Sequence, residues 1–375
     1  MKVLLVNGSG HAKGCTYTAL EEVAGALEKN GIETEIIQVG TQPIAGCIGC
    51  NACHNVCQYN HSPLFKAPST WYQGWSSNDK IRADSSSGGL GTALLRLFIE
   101  KYGNVCACVY KNGCFQFEFA DSIDDISKFS GSKYVKSNPF GIYKKVKTLL
   151  KNNKNVLFIG LPCQVAALKN FVGDKFSENL YTVDMICHGS PSPLLLELFF
   201  KDYDIDLKMI QNIEFRKKNK FHLYIDKEFI IPERVRDMYT AAFLNGLNYT
   251  ENCYKCKYAQ FERVSDITIG DSWGSELNLQ EQKKGISLIC CQTPKGEKLI
   301  QEAGLHLEFV DIEKAKTANH QLNYPSPMPD CRVKFFQEIQ KGSGFNKAVS
   351  KCIPKEYYKE KIKMTLIRMK ILLDK

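Results

Sequence analysis

Residues 155–171 read NVLFIGLPCQVAALKNF. The first six form a short apolar run bounded by Asn155 and Gly160, the composition of a strand buried on both faces of a parallel sheet. LPCQ follows, and the remainder has the character of a helix running to Phe171. A second run, NLYTVDMI at 179–186, repeats the strand pattern and leads into CHGSPSP at 187–193. Cys163 and Cys187 therefore each lie just past the C-terminal end of a predicted parallel strand. Open α/β sheets bind ligands in that crevice. Two thiols so placed can be neighbours in space although 24 residues separate them.

Working outward, DSSSGG (84–89) leads into a predicted helix over 90–102. Glycines after a serine run let backbone N–H groups converge on an anion at a helix start; a flexible linker is the plainer reading. NVCACVY is a predicted strand, Asn112-Gly113 a hairpin signal, and FQFEF alternates with period two. A helix is predicted over 139–152, with Ile142, Val146, Leu149 and Leu150 apolar. Further on, Cys253-Tyr-Lys-Cys256 adds a C-x2-C pair. With Cys163 and Cys187 this makes four thiolates, enough to close one [4Fe–4S] cluster. A lone buried cysteine is more often a small hydrophobe, and a C-x2-C pair also suits zinc. Zinc usually brings a second pair or histidines, and neither stands near Cys253 in the sequence. Cys106, Cys108, Cys114, Cys290 and Cys291 lie in strand patterns and read as core or strand residues, while Cys331 and Cys352 have no evident partner. His188 follows a candidate ligand and suits either a hydrogen bond to sulfur or plain packing. Gly270-Asp271 and Trp273-Gly274 follow the strand DITI and read as a cleft wall.

The first residues form a separate pattern. KVLLVN (2–7) is a predicted strand, GSGHAKGCT (8–16) a loop, and 17–29 a helix with Leu20, Val23, Ala24 and Leu27 on one face; ETEIIQ (33–38) is a second strand. This is one βαβ unit with a loop suited to phosphate. Behind it stands CIGCNACHNVCQYN (47–60), in which Cys47, Cys50, Cys53 and Cys57 have the spacing C-x2-C-x2-C-x3-C. The bacterial ferredoxin run continues with proline and has a second tetrad; here Gln58 stands in the proline's place and no second tetrad follows. Residues 59–80 read as a linker, with Trp71, Tyr72 and Trp75 suggesting that it packs against something.

Composition sets limits. The 375 residues suffice for two or three domains, and 44% hydrophobic with 24% charged is ordinary for a soluble protein. No apolar run reaches the roughly 18 residues of a membrane span. The opening apolar run breaks at Asn7-Gly8 and reads as a buried strand, not a signal peptide. Sixteen cysteines in such a chain point to metal binding or catalysis in a reducing cytoplasm. Of the net charge of +9, a surplus of five falls in residues 351–375, so the rest is nearly balanced, which argues against a nucleic-acid groove. In that tail, residues 356–373 place Ile362, Leu366, Met369 and Leu373 at helical spacing, with Lys361, Lys363, Arg368 and Lys370 around them. The helix either docks on the main body or meets an acidic partner or an anionic surface.

The ordered segments IRADSSSGG, GSKYVKS, IGLPCQVAALKNF, VDMICHGSPSP, ENCYKCKYA and VSDITIGDSWG resemble the coenzyme F420 hydrogenase/dehydrogenase beta-subunit family over about residues 75–315. The resemblance implies an FAD-containing iron–sulfur oxidoreductase, in which the flavin exchanges a hydride with a deazaflavin or another two-electron partner. It implies Cys163, Cys187, Cys253 and Cys256 as cluster ligands. It also implies Ser86, Ser87, Gly88 and Gly89 as a loop near the flavin, and Ser132, Lys133 and Tyr134 as a second flavin-side segment, with Lys133 a charge near the isoalloxazine or its phosphates. Many members carry a two-cluster ferredoxin before this block. Here VNGS, KGCTYTAL and CIGCNAC resemble instead the opening of the NADPH-dependent FMN reductase and iron–sulfur flavoprotein families, over about the first 55 residues. Cys47, Cys50, Cys53 and Cys57 stand at the seam as candidate ligands of a second cluster.

The expected fold is α/β: a flavodoxin-like βαβ fragment (1–58) ending in the cysteine-rich loop, a linker (59–80), a mixed α/β flavin and iron–sulfur domain (81–315), and a basic tail (316–375). The expected function is electron passage between a [4Fe–4S] cluster and FAD. An NAD(P)H-dependent FMN reductase, and a non-catalytic electron-transfer subunit of a larger complex, are the alternatives. A ferredoxin or a hydrogenase/dehydrogenase subunit is the expected partner. No side chain stands out as a catalytic acid or base.

Overall fold

The computed structural model describes residues 2–7, 14–38, 61, 64–226 and 228–371. The chain divides into two units, Met1–Ser62 and Pro63–Lys375. In the first, strands β1 (Lys2–Asn7) and β2 (Glu33–Gln38) pair in parallel, Lys2 opposite Glu33 and Asn7 opposite Gln38. The helix Cys15–Glu28 joins them, because a parallel pair needs a crossover of this length. The loop at 8–13 and Cys47, Cys50, Cys53 and Cys57 lie outside the described residues.

The second unit is built on an eight-stranded sheet. Its strands are β3 (Thr70–Ser76), β4 (Gly103–Lys111), β5 (Cys114–Ala120), β6 (Asn155–Gly160) and β7 (Leu180–Met185), joined later in the chain by three more. Between them the chain forms a separate three-stranded sheet, β8 (Ile213–Lys217), β9 (Lys220–Ile225) and β10 (Glu228–Phe229). The large sheet is completed by β11 (Ile267–Asp271), β12 (Ser287–Cys291) and β13 (Leu305–Phe309), in the order β13-β3-β12-β11-β7-β6-β4-β5. The four central strands β11, β7, β6 and β4 are parallel, and the flanks are antiparallel. On β6, Leu157 and Ile159 face one core with the helix Leu90–Lys101. Val156 and Phe158 face the other, with the helices Ile142–Lys151 and Pro162–Val172. Both faces are covered, which is why the run is apolar throughout. Asn112 (φ 51°) and Gly113 (φ 79°) make the predicted β4–β5 turn.

Two expectations are corrected. The stretch read as a linker supplies β3, inserted between β12 and β13 with Trp71 and Tyr72 buried. Gly74 at its centre is required there, since a Cβ would collide with the His306 carbonyl of β13. Nor does the main body end near residue 315. The helices Arg332–Gln340 and Phe345–Cys352 bring Phe335, Phe345, Ala348 and Val349 into a third core with Phe199, Tyr239 and others. Only the helix Pro354–Arg368 is tail-like. It packs through Tyr357 and through Glu360, whose carboxylate accepts from the Arg236 N–H at 3.0 Å and from Lys363 Nζ at 2.7 Å. Ile362 and Met369, predicted on a shared apolar face, are 60% and 64% exposed; Leu373 lies outside the described residues. The packing of Tyr357 and Glu360 fixed the inward face instead. Among the described residues no helix is long and apolar enough to cross a membrane.

Candidate functional site

Cys163 occupies the first turn of the helix Pro162–Val172, directly after β6. Pro162 opens this helix, where its missing N–H costs nothing. The Gln164 side chain holds the turn: Oε1 accepts from the Leu161 N–H at 3.0 Å, and Nε2 donates to Ser137 O at 3.2 Å and Ser137 Oγ at 3.0 Å. Cys187 follows β7, and Cys253 and Cys256 belong to the turn at Glu251–Lys255 and its end. The four cysteines, carried by three separate segments, line one cavity of about 40 Å³ with Lys136, His188 and Ser190.

The thiols sense one another. Burial pushes Cys163 up to about 11; Lys136 opposes this, while Cys256 and Cys253 add to it. Cys187 is raised by burial and then by the other three cysteines, against an N–H from Gly189. Cys256 is raised by burial and opposed by the N–H groups of Tyr258 and Ala259. Four thiolates cannot share this space without positive charge between them. Among the described residues no three His, Cys, Asp or Glu side chains converge tightly enough to hold a single metal ion. A tetrahedral zinc site would hold its sulfurs about 3.8 Å apart, from Zn–S bonds of about 2.3 Å. A cluster with iron at four corners spreads its ligands wider, and four cysteine sulfurs are the donor set that such a cluster takes. Ser190 Oγ, buried in the same wall, has no hydrogen-bond partner among the described residues.

Sequence reasoning missed what positions this site. Arg263 is 2% exposed and Asp184, on β7, is fully buried. Arg263 Nη2 donates to Asp184 Oδ1 at 2.9 Å and to Met185 O at 3.1 Å; Nη1 donates to Tyr258 O at 2.8 Å. One guanidinium thus ties the end of β7, two residues before Cys187, to the turn after Cys256. His188 Nδ1 accepts from Gln321 Nε2 at 2.7 Å. Packing around the ring, then His320, lowers its pKa to about 4, although the residue keeps an exposed edge and water moderates the shift.

The two segments implied as flavin-side do meet. The Ser132 N–H donates to Ser86 Oγ at 3.0 Å, and Ser130 Oγ donates to Asp84 O at 3.3 Å. Their details differ from expectation. The Gly88 N–H is spent on Ser287 Oγ at 3.0 Å, and a Cβ there would collide with Gly74 O. Gly89 starts the helix at φ 88°. Gly88 thus serves close packing on β3 and β12, and Gly89 serves a left-handed helix start beside Ile81. Lys133 Nζ donates to the carbonyls of Phe129, Ser130 and Gly131 at 2.7, 2.7 and 3.0 Å, so its three protons are committed to its own loop. The ring of Tyr134 stacks on Phe243 at 4.4 Å. The cations at this loop come instead from the β8–β9 hairpin. Arg216 forks onto Asp271 at 2.6 and 2.9 Å and donates to Ser86 O at 2.8 Å. Lys218 Nζ donates to Ser87 O at 3.1 Å, and burial, then Arg82 and Arg216, push its pKa down to about 8. The basic run FRKKNK at 215–220 was the available signal for both.

Cys106, Cys290 and Cys291 are buried in strands, Cys108 is half-buried and Cys114 exposed. Cys352 Sγ donates to Cys331 O at 3.2 Å, so these two cysteines are neighbours.

Comparison with known proteins gives two matches in succession. Residues 153–315 match the family formed by the C terminus of the coenzyme F420 hydrogenase/dehydrogenase beta subunit. Residues 1–74 match NADPH-dependent FMN reductase; that match runs into β3, which belongs by its pairing to the second unit. Over 53 residues the chain is 40% identical to an iron–sulfur flavoprotein of Methanocaldococcus jannaschii, covering 14% of this chain and 28% of that protein's length. A chain of the xenon-derivatized F420-reducing [NiFe] hydrogenase complex from Methanosarcina barkeri superposes with a TM-score of 0.50 at 20% identity, over 76% of this chain and 97% of that one. At such identity the likeness is one of fold. The chain is thus similar over its central region to the C-terminal part of coenzyme F420 hydrogenase/dehydrogenase beta subunits, and over its first residues to NADPH-dependent FMN reductases.

Proposed function

We propose that the protein is an iron–sulfur flavoprotein oxidoreductase that passes electrons between a [4Fe–4S] cluster held by Cys163, Cys187, Cys253 and Cys256 and an FAD beside the 84–89 and 130–134 segments. The observation that carries this reading is the meeting of four thiols from three segments in one cavity. A bound cluster would exchange single electrons, and a bound flavin would convert these to a two-electron exchange with a hydride-carrying partner. The chain's own groups then have definite tasks. Backbone N–H groups of Gly189, Tyr258 and Ala259 stabilise thiolate sulfur. Lys136 offsets negative charge at Cys163. Lys218 places positive charge at the serine loop, where a flavin's phosphates need it, and Arg216, paired with Asp271, holds the loop through Ser86 O. The electron partner is a ferredoxin or a hydrogenase/dehydrogenase subunit.

The test is anaerobic purification followed by iron, sulfide and flavin analysis. About four iron and four sulfide per chain, with FAD on acid extraction, are expected. Cys163→Ser should lose the visible iron–sulfur absorbance. Full iron and sulfide in that variant would overturn the ligand assignment, and FMN as the sole flavin would favour the reductase-like reading of the first unit.

A further inference from the structure

Ser190 lies between the candidate ligand Cys187 and Pro191 and is 5% exposed. Its backbone is fixed on both sides: the Thr250 N–H donates to Ser190 O at 3.0 Å, and the Lys136 N–H donates to Pro191 O at 2.9 Å. Ser190 lines the thiol cavity, and its hydroxyl finds neither donor nor acceptor among the described residues. Ser326 Oγ and His188 Nδ1, in the same wall, are already engaged. Ser326 Oγ donates to His188 O at 2.8 Å, and His188 Nδ1 takes the Gln321 amide. A buried hydroxyl without a partner is costly. The four cysteines line the same cavity as Ser190, which makes their sulfurs, and whatever those sulfurs hold, candidate acceptors for its hydroxyl.

We propose that Ser190 donates an O–H···S hydrogen bond to the iron–sulfur group, to a bridging sulfide or a cysteine sulfur, and thereby raises its reduction potential. The proposal rests on the cluster reading above. Adding one electron increases the negative charge on sulfur, so an O–H donor stabilises the reduced state more than the oxidised one. Hydrogen bonds to the sulfurs are among the recognised determinants of these potentials. The hydroxyl keeps its proton throughout, and the electron comes from the redox partner already named. Ser190 is therefore a positioning and tuning residue, whose loss should change an equilibrium without removing a ligand.

The experiment uses the full chain, purified anaerobically, with iron and sulfide counted before a potentiometric titration followed by electron paramagnetic resonance. Ser190→Ala should keep the wild-type iron and sulfide content. It should shift the one-electron equilibrium toward the oxidised state by up to about tenfold, a fall in midpoint of about 59 mV. Ser190→Thr and Ser190→Val form a second pair of equal shape, of which only Thr retains the donor. Thr should titrate near the wild type, and Val should fall with Ala. If the Ala variant loads poorly, the Thr–Val comparison decides alone. Equal midpoints for Thr and Val, or an Ala midpoint equal to wild type at full iron, overturn the proposal. Absence of iron and sulfide from the wild-type protein overturns the cluster reading instead, so the two failures are told apart.

Discussion

Replacing Arg263 by methionine should cost about 3–5 kcal/mol of stability and, with it, the capacity to hold iron, because it leaves the Asp184 carboxylate buried without its counter-ion. Asp184 Oδ1 would keep the 2.7 Å hydrogen bond from Thr268 Oγ1, while Tyr258 O and Met185 O would each lose the Arg263 donor. Arg263→Lys keeps the charge, but one ammonium does not span the acceptors that the guanidinium fork reaches, so a loss of about 1–3 kcal/mol is expected. Urea unfolding followed by tryptophan fluorescence is a suitable assay, since Trp71 and Trp75 belong to β3 of the same sheet. Iron content is measured in parallel. A control separates general weakening from loss of the scaffold: Phe345→Ala, in the third core, should cost a similar about 3–5 kcal/mol and retain iron. A loss below about 1 kcal/mol in Arg263→Met, or wild-type iron content in that variant, would refute the reasoning.

Three further outcomes are expected. A chain shortened to begin at Pro63, at the unit boundary, should keep FAD; a folded product without any flavin would move the site to the first unit. The unfolded chain takes up a proton at His188 near the ordinary value of 6.5 and the folded chain near about 4, so the unfolded state binds more protons between these values. Stability should therefore fall on acidification through that window, by about 1 kcal/mol once solvent screening is allowed for, and His188→Gln should flatten the dependence; an unchanged pH slope would count against it. Lys361, Arg368 and Lys370 are exposed on the last helix or just after it. Changing all three to Gln should slow electron transfer to an acidic ferredoxin several-fold at low salt and little at high salt, because screening sets in over about 8 Å. Equal rates in both salts would leave that helix a structural role alone.

The parallel core was legible because its signals are local. NVLFIG and LYTVDM are apolar enough to demand cover on both faces, and the residue just past a parallel strand is a ligand position whatever the rest of the fold does. What escaped was non-local or hidden by small residues. β3 reads as a linker because Gln73 and Gly74 interrupt its apolar pattern, yet its partners β12 and β13 lie more than 200 residues later. Arg263 gives no sign of pairing with Asp184, 79 residues away. The motif around Lys133 suggests a ligand for its charge, whereas three carbonyls of its own loop take its protons. The last helix has apolar residues on more than one side, and packing against Arg236 chose the side that carries Glu360.

The spread of the four thiols along the chain has a further consequence, in the order of biosynthesis. Intervals of 24 residues between Cys163 and Cys187, and 66 between Cys187 and Cys253, must both be closed before the site is whole. By the loop-closure relation used for disulfides, such closures restrict the unfolded chain by about 3 and about 4 kcal/mol. A group gripping all four sulfurs would therefore act as a covalent staple across the sheet. At about 5–20 residues per second, the ribosome needs about 3–13 s to pass from Cys187 to Cys253. During that interval the nascent chain carries two strand-end thiols, half of the proposed ligand set, open to a stray metal ion or to oxidation. On the proposed assignment, cluster insertion would follow release of the turn that Arg263 locks in place.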